Sequence, residues 1–265
     1  MSKKIYHVEN PVTEVHDLTV TYDRKPVLWD IDLSLPKGAV VGIMGPNGAG
    51  KSTLIKAMMG LLPMASGYVK MFDKKLDEVR DRISYVPQRG TVDWDFPALV
   101  KDVVLMGRYA KIGLFSRARK ADLDIAMECL HKVNMENFAH RQISQLSGGQ
   151  QQRVFLARAL AQHADLYFMD EPFVGVDMAT EKAIVELMQE MTKKGKTVIV
   201  VHHDLQTAQK YFDWIILLNT RLVASGPTKS VLTNEIVAET YGGNLSLLTD
   251  LSQELKNQAF PNREN

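Results

Sequence analysis

Two hydrophobic patterns alternate along the chain. Residues Glu14–Tyr22 alternate apolar and polar positions and are rich in β-branched residues, which predicts a strand. Val27–Leu35 reads as its neighbour, with Asp23–Lys25 turning between them. Ala39–Met44 is instead a short unbroken apolar run, the pattern of a strand buried on both faces. Leu166–Asp170, Thr197–Val201 and Trp214–Leu218 repeat that second pattern. Helical periodicity follows in Ser52–Leu62, Thr180–Lys193 and Leu205–Tyr211. Strands alternating with helices predict an α/β fold with a mostly parallel sheet.

Residues 89–164 break this rhythm, with helical patterns around Val100–Tyr109 and Ala121–Val133 and no strand pattern. We read them as a helical subdomain inserted into the sheet domain. After Gly243 the chain turns polar, which predicts one short helix and a frayed end.

Composition narrows the function. With 45% hydrophobic and 24% charged residues the chain reads as an ordinary globular protein. A net charge of +1 leaves no global footprint for nucleic acid. Cys129, the single cysteine, excludes an internal disulfide, fits a reducing compartment and reads as a small core residue. A bilayer-spanning helix needs about 20 mainly apolar residues, and the apolar runs here are strand-length. Lys3 and Lys4 are followed by no apolar stretch, so no secretory signal is expected. The expectation is a chain kept in the cytosol, with any membrane role reached through a partner.

Chemistry enters at Gly45-Pro46-Asn47-Gly48-Ala49-Gly50-Lys51-Ser52, followed by Thr53. This fits G-x-x-x-x-G-K-[ST] with the required strand before and helix after, the mark of a P-loop NTPase core. The glycines let successive backbone N–H groups cradle phosphate oxygens, and the helix N-terminus faces the same anion. Lys51 is expected to reach the β- and γ-phosphates, and Ser52 to place its hydroxyl on Mg²⁺. Alone, the motif implies only nucleoside-triphosphate binding. The apolar strand ending in Asp170-Glu171 supplies a hydrolytic half. Asp170 is placed to hold Mg²⁺ through water, and Glu171 to orient and polarise the attacking water.

Leu146-Ser147-Gly148-Gly149-Gln150, followed by Gln-Gln-Arg153, resembles the signature of the ABC ATPases. It would form a second anion-binding helix end, and one subunit has no evident use for two such ends on one nucleotide. The resemblance implies a head-to-tail pair of copies, each signature closing on the γ-phosphate held by the other. It covers about residues 13–243, with a RecA-like core at 13–88 and 165–243, the helical subdomain at 89–164 and a tail at 244–265. By resemblance, Tyr22 stacks on adenine and Gln88 in Tyr-Val-Pro-Gln is the Q-loop glutamine that meets Mg²⁺ and the attacking water. Asp177 in Gly-Val-Asp matches the aspartate at the dimer seam, though many relatives carry Ala-Leu-Asp there. His203 matches the histidine that senses the γ-phosphate. His202 is adjacent, but Asp204-Leu205 after His203 fixes the register.

A free-standing single domain looks most like an importer subunit. Thr91-Val-Asp-Trp-Asp-Phe-Pro97, Asp102–Tyr109 and Asp170–Asp177 are similar to the ATPases of manganese, zinc and iron importers. That resemblance implies ATP and Mg²⁺ as ligands and a polytopic membrane permease as partner. It implies indirectly an extracytoplasmic metal-binding protein, no nucleic acid, and a peripheral place on the cytoplasmic membrane face. Manganese is favoured over zinc or iron. An importer ATPase for another small solute, or a soluble non-transport ABC ATPase, is the alternative. Trp94 and Phe96 beside acids, if exposed, would suit a groove for the permease, with packing of either aromatic into the core an equal alternative. The transported metal itself is not expected to touch this subunit.

Overall fold

The computed structural model describes residues 4–242 except 24, 93, 95, 114 and 115. In chain order the elements begin with β1 (Lys4–Ile5), β2 (Thr13–Tyr22), β3 (Lys25–Leu35), β4 (Val40–Met44), α1 (Lys51–Met58), β5 (Ser66–Met71), β6 (Lys74–Lys75) and β7 (Ile83–Val86). Then come α2 (Val100–Leu105), α3 (Tyr109–Ile112), α4 (Lys120–Lys132), α5 (Gly148–Ala161), β8 (Leu166–Asp170), α6 (Met178–Lys193) and β9 (Thr197–Val201). α7 (Leu205–Tyr211), β10 (Trp214–Asn219), β11 (Arg221–Pro227), α8 (Thr228–Val231) and α9 (Asn234–Tyr241) follow. The helix expected beyond Gly243 lies outside the described residues. Two compact units result, one built from residues up to Glu78 and from Ile199 onward, the other from Val79–Val198. The division falls inside β9.

In the first unit β4 and β10 pair in parallel, with Val41 opposite Trp214 and Met44 opposite Leu217. β11 returns antiparallel to β10, and β1 adds in parallel to β11. Every residue of β4 is buried, as the unbroken Val-Val-Gly-Ile-Met run requires of a strand covered on both faces. This unit also holds a separate antiparallel sheet in the order β3-β2-β5-β6, which the sequence pattern did not announce. The β2–β3 hairpin is as expected but tighter: Tyr22 pairs with Lys25, so Lys25 belongs to β3 and not to the turn. β5 (SGYVKM) is half exposed and lacks clean alternation. It is a strand because β2 offers its backbone a ladder, with Val15 opposite Val69 and His16 opposite Tyr68.

In the second unit β7 pairs in parallel with β8, from Ile83 opposite Leu166 to Val86 opposite Met169. The helices α2 to α5 run between them in sequence, and α5 packs against α2 and α4. Among the described residues of 89–164 only an isolated bridge, Leu99 with Gln142, is β-like. The helix expected over Val100–Tyr109 is broken, since a 3₁₀ turn at Met106–Arg108 separates α2 from α3. Arg108 is drawn inward there, its Nη1 donating to Ala161 O at 3.1 Å and its Nε to Asp122 Oδ1 at 3.2 Å. α4 buries Ala126, Cys129 and Leu130. Burial pushes the Cys129 thiol up to about 11, so it is the inert core residue the pattern suggested. No helix among the described residues is long and apolar enough to cross a membrane.

Candidate functional site

The phosphate-loop candidates lie where buried β4 runs out and α1 begins. Gly45 is dictated by crowding: a Cβ there would stand 1.9 Å from the Leu218 carbonyl oxygen. Gly50 caps α1 at φ 94, a left-handed conformation that glycine adopts without a steric penalty, and its Cβ position is 3.0 Å from Val27 O. Pinning these two points leaves Asn47 and Gly48 as the exposed crown of the loop, while Ala49 is buried. Ala49 N donates back to Pro46 O at 3.2 Å, closing a turn. Lys51 is buried, and its Nζ donates to Gly45 O at 2.8 Å and Pro46 O at 2.9 Å. An ammonium donating to carbonyl dipoles gains from exchanging them for an anion, because charge-assisted bonds to an anion are stronger. Ser52 and Thr53 follow in the first turn of α1, both half-buried.

The same unit separates the two adjacent histidines. His202 is buried, its Nε2 lies 2.8 Å from Thr207 Oγ1, and its ring meets Phe212 at 5.4 Å between centroids. Burial lowers its pKa to about 4, opposed by the nearby Asp204 and assisted by His203. His203 is exposed, which leaves it available to a ligand. Successive residues leaving a strand point to opposite sides, so one ring joins the core and the other faces out. Tyr22, at the end of β2, is 48% exposed, so its ring is not committed to the core.

The second unit assembles the acidic candidates. Asp170 ends β8 and is buried, like every residue of that strand. The Tyr85 phenol is hydrogen-bonded to it, and burial followed by the Asp170 charge raises the Tyr85 pKa well above the usual tyrosine range. Glu171 leaves the strand at φ 52 and accepts from Gln88 Nε2 at 2.6 Å. The Q-loop candidate and the candidate for polarising the attacking water are therefore in direct contact.

Ser147 is the N-cap of α5 and forms a reciprocal capping box with Gln150. Gln150 N donates to Ser147 Oγ at 3.4 Å, and Ser147 N to Gln150 Oε1 at 2.9 Å. Gly148 and Gly149 then occupy the first helical positions, whose N–H groups have no partner within the helix. Asp177 caps α6, accepting from Thr180 N at 2.7 Å; that bond, with help from Arg153, holds its carboxyl below the usual aspartate range.

Sequence reasoning passed over three side chains here. Tyr85 reaches Asp170 only because β7 and β8 pair across a long loop of chain, and no local pattern records that pairing. Arg89 and Gln151 stand beside motif residues, and their side chains meet at 3.1 and 3.2 Å. Of the two aromatics, Trp94 takes the packed alternative, half-buried and edge-on to Phe155 at 4.8 Å, whereas Phe96 is 56% exposed.

Known proteins resemble this chain over most of its length. Residues 28–174 match the family described as "ABC transporter". The chain is 62% identical over 237 residues to the manganese transport system ATP-binding protein MntB of Bacillus subtilis (strain 168), covering 89% of this chain and 95% of that one. It is 58% identical to the zinc transport system ATP-binding protein TroB of Treponema pallidum (strain Nichols), over 88% of each chain. Among solved structures, the dimeric post-hydrolysis state of the ATP-binding cassette MJ0796 bound to ADP and Pi superimposes with a TM-score of 0.70 at 30% identity. That match covers 81% of this chain and 98% of the other.

Proposed function

Because the chain belongs to the ABC transporter family, we propose that it is the ATP-hydrolysing subunit of an importer for a divalent transition metal ion, manganese favoured, working through a separate membrane permease. As an ABC ATPase it binds and hydrolyses ATP. The observation that carries the finer reading is the presence of two glycine-led helix N-termini in one chain, at Lys51 and at Ser147–Gly149, each built to receive an anion. Likeness to the dimeric cassette with ADP and Pi supports pairing of two copies, each signature turn facing the other's nucleotide. The names of the manganese and zinc relatives support the metal assignment. On this reading residues 89–164 act as the helical subdomain, and the protein sits peripherally on the cytoplasmic membrane face, receiving metal indirectly from an extracytoplasmic binding protein.

In the proposed mechanism the phosphates lie along the amides of residues 45–53, with Lys51 leaving its carbonyl partners for the β- and γ-phosphates. Tyr22 stacks on adenine. Asp170, a buried carboxylate, and the Ser52 hydroxyl and Gln88 amide offer the oxygen donors that Mg²⁺ takes. Bound with ATP, Mg²⁺ would spread the developing negative charge of the transferred phosphoryl group. Glu171 orients and polarises the attacking water once Gln88 yields its carboxylate, and exposed His203 senses the γ-phosphate. Asp177 contributes at the dimer seam. Closing of two copies excludes water and completes the site.

The test is ATP-dependent uptake of radiolabelled manganese and zinc by vesicles holding the permease and this subunit. Uptake of manganese that stops with Lys51→Ala supports the reading. ATP turnover stimulated by nucleic acid or ribosomes, with no metal uptake, overturns it.

A further inference from the structure

Arg89 and Trp94 are tied to α5 at two successive turns. The Arg89 guanidinium gives Nε and Nη2 to a single oxygen, Gln151 Oε1, at 3.2 and 3.1 Å. Gln151 is buried, and its Nε2 is in turn spent on Ile143 O at 3.2 Å. The Arg89 carbonyl accepts from Trp94 Nε1 at 2.9 Å, and the same indole packs against Phe155 at 4.8 Å. Gln151 and Phe155 are one helical turn apart on the same face of α5.

The guanidinium also covers Gly148: a Cβ on that residue would lie 2.9 Å from Arg89 Cζ. A cation against the first turn of a helix is opposed by the helix dipole. Helix stability alone would therefore not select it, and the two bonds to Gln151 hold it in place. The residue just before it, Gln88, holds Glu171 at 2.6 Å. One dipeptide thus carries the partner of the hydrolytic carboxylate on one side and the anchor of the Ser147–Gly149 turn on the other.

We propose that Arg89 is a positioning residue that fixes the Ser147–Gly149 turn to the Gln88–Glu171 pair. The turn is then presented to a partner copy's nucleotide only when Gln88 is in place. This rests on the reading that the signature turn meets the nucleotide of a second copy. It goes beyond that reading by assigning the link between that turn and Glu171 to one side chain and its carboxamide partner. A lysine at the position would keep the charge but lose the planar fork that gives two N–H groups to one oxygen.

The experiment separates nucleotide binding from pairing. In a Glu171→Gln background, ATP-driven dimerisation is followed by light scattering, and affinity for a fluorescent ATP analogue is measured on the same protein. Arg89→Ala is expected to raise the ATP concentration needed for dimerisation about tenfold, with analogue affinity changed by less than about twofold. In the otherwise wild-type chain KM for ATP rises by a similar factor and kcat moves little, because turnover follows the dimer. Arg89→Lys, which keeps the charge but not the two-pronged donation to Gln151 Oε1, is intermediate. Dimerisation unchanged in Arg89→Ala overturns the proposal, as does an equal loss of analogue affinity, which marks a merely structural role. Should Arg89→Ala not fold, Arg89→Lys, which keeps the bulk and the charge, decides between the same two outcomes. A Glu171→Gln parent that stays monomeric with ATP sinks the shared-nucleotide reading itself, and this is seen before any Arg89 variant is measured.

Discussion

The Gln88 carboxamide donates to the Glu171 carboxylate at 2.6 Å, joining the end of β7 to the end of β8 through their side chains. Glu171 stands at φ 52, a left-handed conformation that costs a non-glycine residue roughly 1–2 kcal/mol. Its neighbour Asp170 is buried and bonded to Tyr85. On the proposed mechanism, this carboxylate meets the attacking water only once Gln88 has moved away.

Two substitutions separate the roles of this pair. Glu171→Gln removes the base and is expected to slow hydrolysis by at least about 100-fold while ATP binding persists. Gln88→Ala frees the carboxylate without removing it, so the expected loss is smaller, about tenfold. Single-turnover hydrolysis alongside equilibrium binding distinguishes them, and a Gln88→Ala loss as large as that of Glu171→Gln would contradict the assignment.

Gly45→Ala tests the loop. Its Cβ would lie 1.9 Å from the Leu218 carbonyl, a backbone atom in a fully packed strand. The expected cost is about 1–3 kcal/mol of stability, as in overpacked cores, with ATP binding lost because the loop must shift. Urea midpoints and nucleotide titration read both.

His202 gives a pH dependence with a definite sign. Its folded pKa, lowered by burial to about 4, lies below that of an exposed histidine, so the unfolded chain takes up the proton first. Its contribution to stability is full above about pH 6.5 and is lost progressively as pH falls from there towards 4. Between pH 7.5 and pH 5 this group alone is expected to cost about 2 kcal/mol. His202→Gln should flatten the difference in urea midpoints between those pH values, and an unchanged difference would show that other groups carry it.

Phe96 is exposed while Trp94 beside it is packed against Phe155. If this segment meets the permease, Phe96→Ala leaves ATP turnover of the isolated subunit within about twofold and lowers transport by the assembled complex several-fold, as loss of an aromatic anchor does. Transport at the parental rate in vesicles would remove Phe96 from that interface.

The sequence by itself determined the elements whose pattern is local. The unbroken apolar runs became β4, β8, β9 and β10, with every residue of β4, β8 and β9 buried. The Gly45–Ser52 loop and the Ser147 cap were legible because one short stretch contains both the turn and the helix it starts. Tertiary structure alone decided the rest. β5 and β7 are strands because distant backbones pair with them, and hydrogen bonding between segments far apart leaves no trace in local periodicity. It turned His202 into the core and left His203 exposed, and it brought Tyr85 to Asp170 and Arg89 to Gln151. Each of these depends on which side chain a folded neighbour presents, a relation between segments that neither segment encodes alone.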